Sequence, residues 1–398
     1  DVKKMKNILE NIGVKVTKNI KDEELIINSK NLHMGDLPLN LVNELRASFF
    51  CIGPILAKLG QASLALPGGC NIGERPIEEH IRGLQKLGAT INKKNGFVIA
   101  RINNDRRKLI GAPIKLGCPS VGATETLIMA ATLAEGETII SNAAREPEIQ
   151  DLCEMLNKMG AKIHGYGNSK ITIDGVEKLS GCKHKVIPDR IEAGTFLIAS
   201  AATLSSITIG PVIPNHLESV LEILKATGSK ILIKGNEITI KTKEIKAVNI
   251  KTAPFPGFPT DLQAPFTALM AIAKGNSEIS ETIYENRMGH VDLLNRMGAS
   301  IQLVNNIAKI QGVDELKGQN LKGSDLRSTA ALIIAALSAK DTSYIGGLEH
   351  LDRGYDCFES KLNILGANIT RNFNEQIFFN QTVIDENISK NTEKFKAA

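Results

Sequence analysis

The sequence predicts an α/β protein of two domains, each made from three copies of one unit. Two observations carry that prediction. A phrase in which apolar residues at helical spacing reach a glycine, followed by a β-branched strand opener, recurs six times. Its glycines are Gly13, Gly88, Gly160, Gly228, Gly298 and Gly366, which stand 75, 72, 68, 70 and 68 residues apart. Between the phrases lies a second helix rich in Ala and Leu, as at Thr124 to Glu135 or Ala264 to Lys274. It ends in Gly and feeds another strand, as in Gly136-Glu137-Thr138-Ile139-Ile140.

In chain order, the phrase reads Ile8 to Val16, Leu84 to Ile91, Met155 to Ile163, Ile223 to Ile231, Leu293 to Ile301 and Lys361 to Ile369. Each copy is a helix end. The glycine takes the left-handed position after the last turn, where a Cβ would be strained, and the next residues start a strand. A further alternating run completes a hairpin, for example Ile171-Thr172-Ile173 and Ile238-Thr239-Ile240. The unit is therefore strand–helix–strand–helix–strand–strand. At about 70 residues it is longer than a solenoid repeat of roughly 20–50. Six copies divide into domains at 1–187 and 188–376, with the boundary near Val186-Ile187-Pro188, and a polar tail at 377–398. The chain opens inside a helical pattern (Val2, Met5, Ile8, Leu9, Ile12) without an initiator Met, so a preceding segment is expected.

Composition narrows the function. The 398 residues are 42% hydrophobic and 23% charged, ordinary for a globular protein with two cores. The absence of Trp and the 4% aromatic content argue against stacking platforms for single-stranded nucleic acid. The net charge of +5 is spread without a basic tract, which favours an anionic small molecule over a nucleic acid or a membrane. Six cysteines (Cys51, Cys70, Cys118, Cys153, Cys182, Cys357) show neither CxxC pairing nor metal-ligand spacing. With no apolar run near 20 residues and no signal peptide pattern, a reducing cytoplasm is the expected compartment.

Candidate chemistry gathers in loops and at helix starts. Leu66-Pro67-Gly68-Gly69-Cys70-Asn71-Ile72-Gly73-Glu74-Arg75-Pro76 cannot continue a helix or central strand, so it is an exposed loop with Cys70 at its apex. A thiol near the Arg75 guanidinium and backbone N–H groups has a stabilised thiolate and can act as nucleophile or proton donor. A glycine turn with an incidental cysteine is the other reading. Arg46 and Arg327 open helices, Arg287 closes Glu285-Asn286-Arg287, and Arg353 sits in Asp352-Arg353-Gly354-Tyr355. Arginines beside helix N-termini make anion sites, although any one alone reads as a salt-bridged surface residue. Asp261 in Pro259-Thr260-Asp261 is either an N-cap or a base for a substrate hydroxyl. Ser120-Val121-Gly122 is a further helix start able to receive a phosphate, and His80 on the helix after the loop is either structural or a ligand contact. There is no GxxxxGK[ST], and no GxGxxG after a strand.

These segments, together with Asn142-Ala143-Ala144-Arg145-Glu146-Pro147-Glu148 and Asp189-Arg190-Ile191-Glu192-Ala193-Gly194-Thr195, closely resemble the UDP-N-acetylglucosamine-dependent branch of the enolpyruvyl transferase family, from the first residues to about Ile369. The resemblance implies the inside-out α/β barrel of that family: two domains of three βαβαββ units that close around substrate. It implies transfer of enolpyruvyl from phosphoenolpyruvate to the 3′-hydroxyl of UDP-N-acetylglucosamine, opening peptidoglycan synthesis, with no metal or organic cofactor. Carried over by position, Cys70 is the general acid that can form an adduct with phosphoenolpyruvate. Arg75 and Arg353 are phosphate ligands, while Arg287 and Arg327 complete the pocket around the carboxylate. Asp261 engages the sugar hydroxyl. Arg46, Arg75, Pro76, Ile77, Glu78, Glu79, Cys118, Pro119, Ser120, Val121, Asp261 and Ile283 fall where the family holds the nucleotide sugar, and His80 and Gly122 join them as substrate-binding residues.

Two features depart from the family pattern. A Lys-Asn pair that touches both substrates falls upstream of Asp1, on a segment that also supplies the first strand and helix of the first unit and a strand of the second domain. Gly117-Cys118-Pro119 stands where an acidic or basic residue is common. The expected explanation of the first is a truncated form of an active enzyme. The alternatives are a non-catalytic UDP-sugar-binding remnant and the sibling activity that makes 5-enolpyruvylshikimate 3-phosphate.

Overall fold

The computed structural model describes residues 1–19, 23–33, 45–66, 72–73, 76–103, 105 and 107–372. The chain divides into two compact units, Asp1–Cys70 with Glu74–Ile187, and Asn71–Gly73 with Pro188–Ala398.

In the first unit, helix α1 (Val2–Asn11) leads into an antiparallel hairpin of β1 (Lys15–Asn19) and β2 (Glu24–Asn28). A 3₁₀ turn at Arg46–Cys51 runs into α2 (Ile52–Leu59), β3 (Gln61–Ala65), α3 (Glu78–Lys86), β4 (Ala89–Lys94) and β5 (Phe97–Ile102), and these strands form an antiparallel sheet in the order β3-β5-β4. Next come β6 (Pro113–Lys115), α4 (Val121–Ala131), β7 (Glu137–Ser141), α5 (Pro147–Lys158), β8 (Lys162–His164) and β9 (Lys170–Asp174). Their order is β6-β7-β9-β8, with β6 and β7 parallel.

The second unit repeats this grammar. It runs α6 (Arg190–Ala202), β10 (Ser206–Ile209), α7 (Glu218–Ala226), β11 (Lys230–Lys234) and β12 (Glu237–Lys241), then β13 (Ile250–Lys251), α8 (Gln263–Met270), β14 (Asn276–Ser280), α9 (His290–Arg296), β15 (Ser300–Val304) and β16 (Ile307–Gln311). The sheet orders are β10-β12-β11 and β13-β14-β16-β15. Parallel β17 (Asn320–Lys322) and β18 (Tyr344–Gly346) flank α10 (Leu326–Ser338), and α11 (Leu348–Leu351) and α12 (Phe358–Ile364) follow. The described strands thus form six separate sheets.

The helices explain the layering. α1, α3, α5 and α7 are amphipathic and bury one stripe; in α5 that stripe is Ile149, Cys153 and Leu156. The Ala-rich helices α6, α8 and α10 are apolar all round, and they pack against one another inside the second unit. Small residues allow the approach: a Cβ on Gly194 would lie 2.4 Å from Leu262 Cδ1. Within each unit the strands turn alternating residues onto their own helices: β12 sets Ile238 and Ile240 beside α6 in the second, and β9 sets Ile171 and Ile173 beside α4 in the first, all four fully buried.

The helix boundaries depart a little from expectation. α4 starts at Val121 rather than Thr124, because the Ser120 hydroxyl accepts from Ala123 N–H at 3.3 Å and caps it there. It ends at Ala131, where the Thr132 hydroxyl donates back to the Ile128 carbonyl at 2.8 Å. Arg46 opens a 3₁₀ turn, and the α-helix begins only at Ile52.

Candidate active site

The chemistry of the second unit converges on Asp261. Residues Thr260–Leu262 form a 3₁₀ turn ahead of α8, and neither Thr260 nor Asp261 caps a helix. The N-cap reading of Pro259-Thr260-Asp261 therefore does not hold. Instead, Arg287 Nη2 donates to Asp261 Oδ1 at 2.8 Å, and Arg327 Nε donates to the same oxygen at 3.1 Å. No described residue bonds Asp261 Oδ2, and 38% of this side chain is open to water. Burial opposes ionisation, but the two guanidiniums outweigh it and hold the carboxyl well below the usual carboxylate range.

Each arginine is anchored from behind. Arg287 Nη1 donates to the Thr260 hydroxyl at 2.8 Å, and its guanidinium lies 5.2 Å from the centre of the Tyr284 ring. Arg327 is fixed at the start of α10, where the Asp325 carboxylate caps the N–H groups of Arg327 and Ser328 at 2.9 and 3.0 Å. Its Nη1 donates to the Tyr355 hydroxyl at 3.1 Å. That hydroxyl lies 2.8 Å from Thr195 Oγ1, whose own proton goes to the Ile191 carbonyl at 2.8 Å. The proton order is therefore set: Arg327 donates to Tyr355, Tyr355 to Thr195, and Thr195 to the backbone. Arg353 sits on the turn after α11, two residues before Tyr355, with its N–H on the His350 carbonyl at 3.3 Å. Ile283 N–H donates to Glu281 Oε1 at 2.7 Å. Asn286 N–H donates to the Ile72 carbonyl at 3.1 Å.

A second group of expected residues meets in the first unit. Glu79 on α3 accepts from Gly117 N–H at 2.9 Å and from Arg82 Nη2 at 2.5 Å, tying the 117–122 loop to this helix. His80 is 4% exposed, packs edge-on to Phe49, and finds no hydrogen-bond partner for Nδ1 among the described residues. Burial, with the Arg46 charge in support, lowers its pKa to about 4, so the imidazole is neutral at pH 7. A Cβ on Gly122 would lie 2.7 Å from Phe50 Cε1 and 3.1 Å from His80 Nε2, so the first turn of α4 rests directly on those rings. Val121 and Gly122 open that turn, Pro119 precedes its cap, and the exposed Cys118 thiol is pushed up by burial and by Glu79. Ile77 is buried beside the exposed Pro76 at the start of α3, while Glu78 turns away to pair with Lys93 at 3.0 Å. Cys70 and Arg75 lie outside the described residues.

Reading the residues singly misses three members of this arrangement. Thr260 reads only as a possible helix cap, Tyr355 stands within a quoted motif without a role, and Glu281 carries no motif signal. Among the described residues, no group of His, Cys, Asp or Glu could hold a metal ion, and no helix is long and apolar enough to cross a membrane.

Comparison with known proteins defines the class first. A family model, EPSP synthase (3-phosphoshikimate 1-carboxyvinyltransferase), matches residues 1–362. Enolpyruvyl transferase NikO from Streptomyces tendae is similar in fold, with a TM-score of 0.82 and 24% identity over 92% of this chain and 87% of that one. An EPSP synthase from Acinetobacter baumannii has a TM-score of 0.66 and 20% identity over 92% of this chain and 87% of its own. The chain belongs to this family of carboxyvinyltransferases. Within it, the chain is 65% identical over 378 residues to a UDP-N-acetylglucosamine 1-carboxyvinyltransferase of Prochlorococcus marinus strain MIT 9312, covering 95% of this chain and 82% of that protein. It is 64% identical over 398 residues to the protein of that name from strain MIT 9301, covering 100% and 87%.

Proposed function

We propose that this chain transfers enolpyruvyl from phosphoenolpyruvate to the 3′-hydroxyl of UDP-N-acetylglucosamine, releasing phosphate in the first committed step of peptidoglycan synthesis in the cytoplasm. The observation that carries the reading is Asp261, clamped through one oxygen by two guanidiniums while no described residue bonds its other oxygen, in a chain 54–69% identical to relatives bearing that enzyme's name. The family model is named for the shikimate sibling, but those relatives favour the nucleotide-sugar acceptor.

The reaction adds a proton to C3 of the donor while a hydroxyl attacks C2, and the adduct then loses phosphate from C2 and a proton from C3 to restore the double bond, so an acid and a hydroxyl acceptor must face opposite ends of that bond. Asp261 Oδ2 is the acceptor: it orients the sugar hydroxyl toward C2. In the resting site Asp261 is a weak base because both arginines share its charge. An anionic donor that draws on the same guanidiniums weakens their hold and raises its basicity, so the base strengthens only when the donor is present. Arg287 and Arg327 receive the donor's carboxylate, and Arg75 and Arg353 its phosphate. Cys70 supplies the proton to C3. Arg46, Pro76 to His80 and Cys118 to Gly122 hold the nucleotide sugar, with the N–H groups of α4 facing the diphosphate. The six sheets and recurring glycines support an inside-out barrel of six βαβαββ units, three in 1–187 and three in 188–376.

The test is a thermal-shift titration. UDP-N-acetylglucosamine at 100 times its dissociation constant should add about 2.7 kcal/mol of stability, whereas shikimate 3-phosphate should add none. Stabilisation by shikimate 3-phosphate alone would overturn the choice of acceptor.

A further inference from the structure

Arg287 cannot clamp Asp261 by itself; something has to fix the rotation of its long side chain. The structure places one buried carboxylate behind both of its supports. Glu281 follows β14 and is 3% exposed. Its Oε2 accepts from the Thr260 hydroxyl at 2.8 Å. Its Oε1 accepts from the Thr252 hydroxyl at 3.0 Å and from the N–H groups of Ile283 at 2.7 Å and Tyr284 at 3.2 Å.

We propose that Glu281 is a positioning residue for the Asp261–Arg287 pair, acting through the Thr260 hydroxyl on one side and the Ile283–Tyr284 backbone on the other. The proposal rests on the reading of Asp261 as hydroxyl acceptor given above. A threonine hydroxyl has one proton. Because Thr260 gives it to Glu281, only a lone pair faces Arg287 Nη1, and the guanidinium can donate to it at 2.8 Å. If that proton turned the other way, two donors would face each other and the arginine would have to move. On the second side, the N–H of Tyr284 is held by Oε1, and the Tyr284 ring lies against the same guanidinium. One carboxylate therefore fixes the plane of Arg287 from both supports, and the plane of Arg287 fixes which Asp261 oxygen remains for substrate.

Two substitutions of nearly unchanged size separate this role from simple packing. Glu281→Gln turns an acceptor into an amide that donates to Thr260 and reverses the proton order. Thr260→Val removes the hydroxyl, and Thr260→Ser restores it. Phosphate release with both substrates should fall on the order of 10- to 100-fold in kcat for Glu281→Gln and Thr260→Val, with little change in the KM for UDP-N-acetylglucosamine, and Thr260→Ser should recover most of the loss. In the two impaired variants the Asp261 carboxyl, followed by ¹³C NMR, should titrate closer to the ordinary carboxylate range. Wild-type kcat and wild-type Asp261 titration in Thr260→Val would overturn the proposal, and so would a Thr260→Ser variant as impaired as Thr260→Val. If Glu281→Gln fails to fold, the Thr260 pair decides. If the unsubstituted chain shows no turnover, the functional reading falls, and the Asp261 titration in Thr260→Val against Thr260→Ser still decides the positioning role.

Discussion

Replacing Asp261 by Asn tests the centre of the site, because it removes charge while keeping shape and an acceptor oxygen. Two guanidiniums, on side chains 6% and 14% exposed, then face each other without a counter-charge. At the observed contacts of 2.8 and 3.1 Å, each guanidinium–carboxylate attraction is about 5–6 kcal/mol at an effective dielectric near 20. Removing one partner of a buried pair typically costs about 3–5 kcal/mol. Here 38% of the Asp261 side chain meets water, and the Asn oxygen keeps both hydrogen bonds, so the expected loss is about 2 kcal/mol. For a unit of this size that corresponds to a fall in Tm of about 4–8 °C. The same change leaves the pocket more positive, so inorganic phosphate should raise the Tm of Asp261→Asn more than that of the parent protein. Differential scanning fluorimetry over a phosphate series reads both effects. A variant as stable as the parent and indifferent to phosphate would show that the carboxylate does not balance the arginines, and the functional assignment of the cluster would fall with it.

Other expectations follow from the first unit and its loop. Gly122→Ala places a methyl group 2.7 Å from the Phe50 ring, so calorimetric affinity for UDP-N-acetylglucosamine should drop and stability fall by about 1–3 kcal/mol; unchanged binding would detach the start of α4 from the ligand. Glu125 is raised to about 7, first by burial and then by Glu148 and Glu146, from an unfolded value of 4.5. A raised carboxyl loses folded stability as pH climbs from the unfolded value through the folded one, so Glu125→Gln should match the parent below pH 4.5 and exceed it by up to about 3 kcal/mol above pH 7. Parallel pH–Tm curves for the two proteins would refute that. The epoxide fosfomycin should alkylate Cys70 selectively, and faster with UDP-N-acetylglucosamine present; peptide mapping that finds the label spread over Cys51, Cys118 and Cys357 would return Cys70 to an incidental turn residue.

What was legible in the sequence was mostly what is decided within a few residues. Gly88, Gly160, Gly228, Gly298 and Gly366 all take positive φ after a helix, because backbone sterics alone require it there. The alternation of Ile171 and Ile173, or of Ile238 and Ile240, likewise settles a strand face locally. Thr260 and Asp261 lie at the other extreme. Their local context offers a helix cap, but their partners Glu281, Arg287 and Arg327 come from 21, 27 and 66 residues away. The Tyr355 hydroxyl meets Thr195 across 160 residues. Pairings of that kind depend on which helix starts the fold brings together, and no spacing rule within one segment encodes them. The resemblance could point to the arginines and Asp261 because they stand in motifs. It was silent on Glu281, whose importance lies in where its proton acceptors point.

The helix-ending glycines carry one more consequence. At Gly88, Gly160, Gly298 and Gly366 the backbone has φ of +92°, +100°, +93° and +97°, and a methyl group built in the ordinary hand would meet nothing within 4 Å. Space is therefore not what excludes a side chain; handedness is. A residue of the opposite chirality would find these torsions relaxed, and it would narrow the disordered chain's choices as alanine does at a compatible glycine, a gain of about 0.4–1 kcal/mol per site. The protein thus holds four separate joints at which mirror-image chemistry could strengthen the fold.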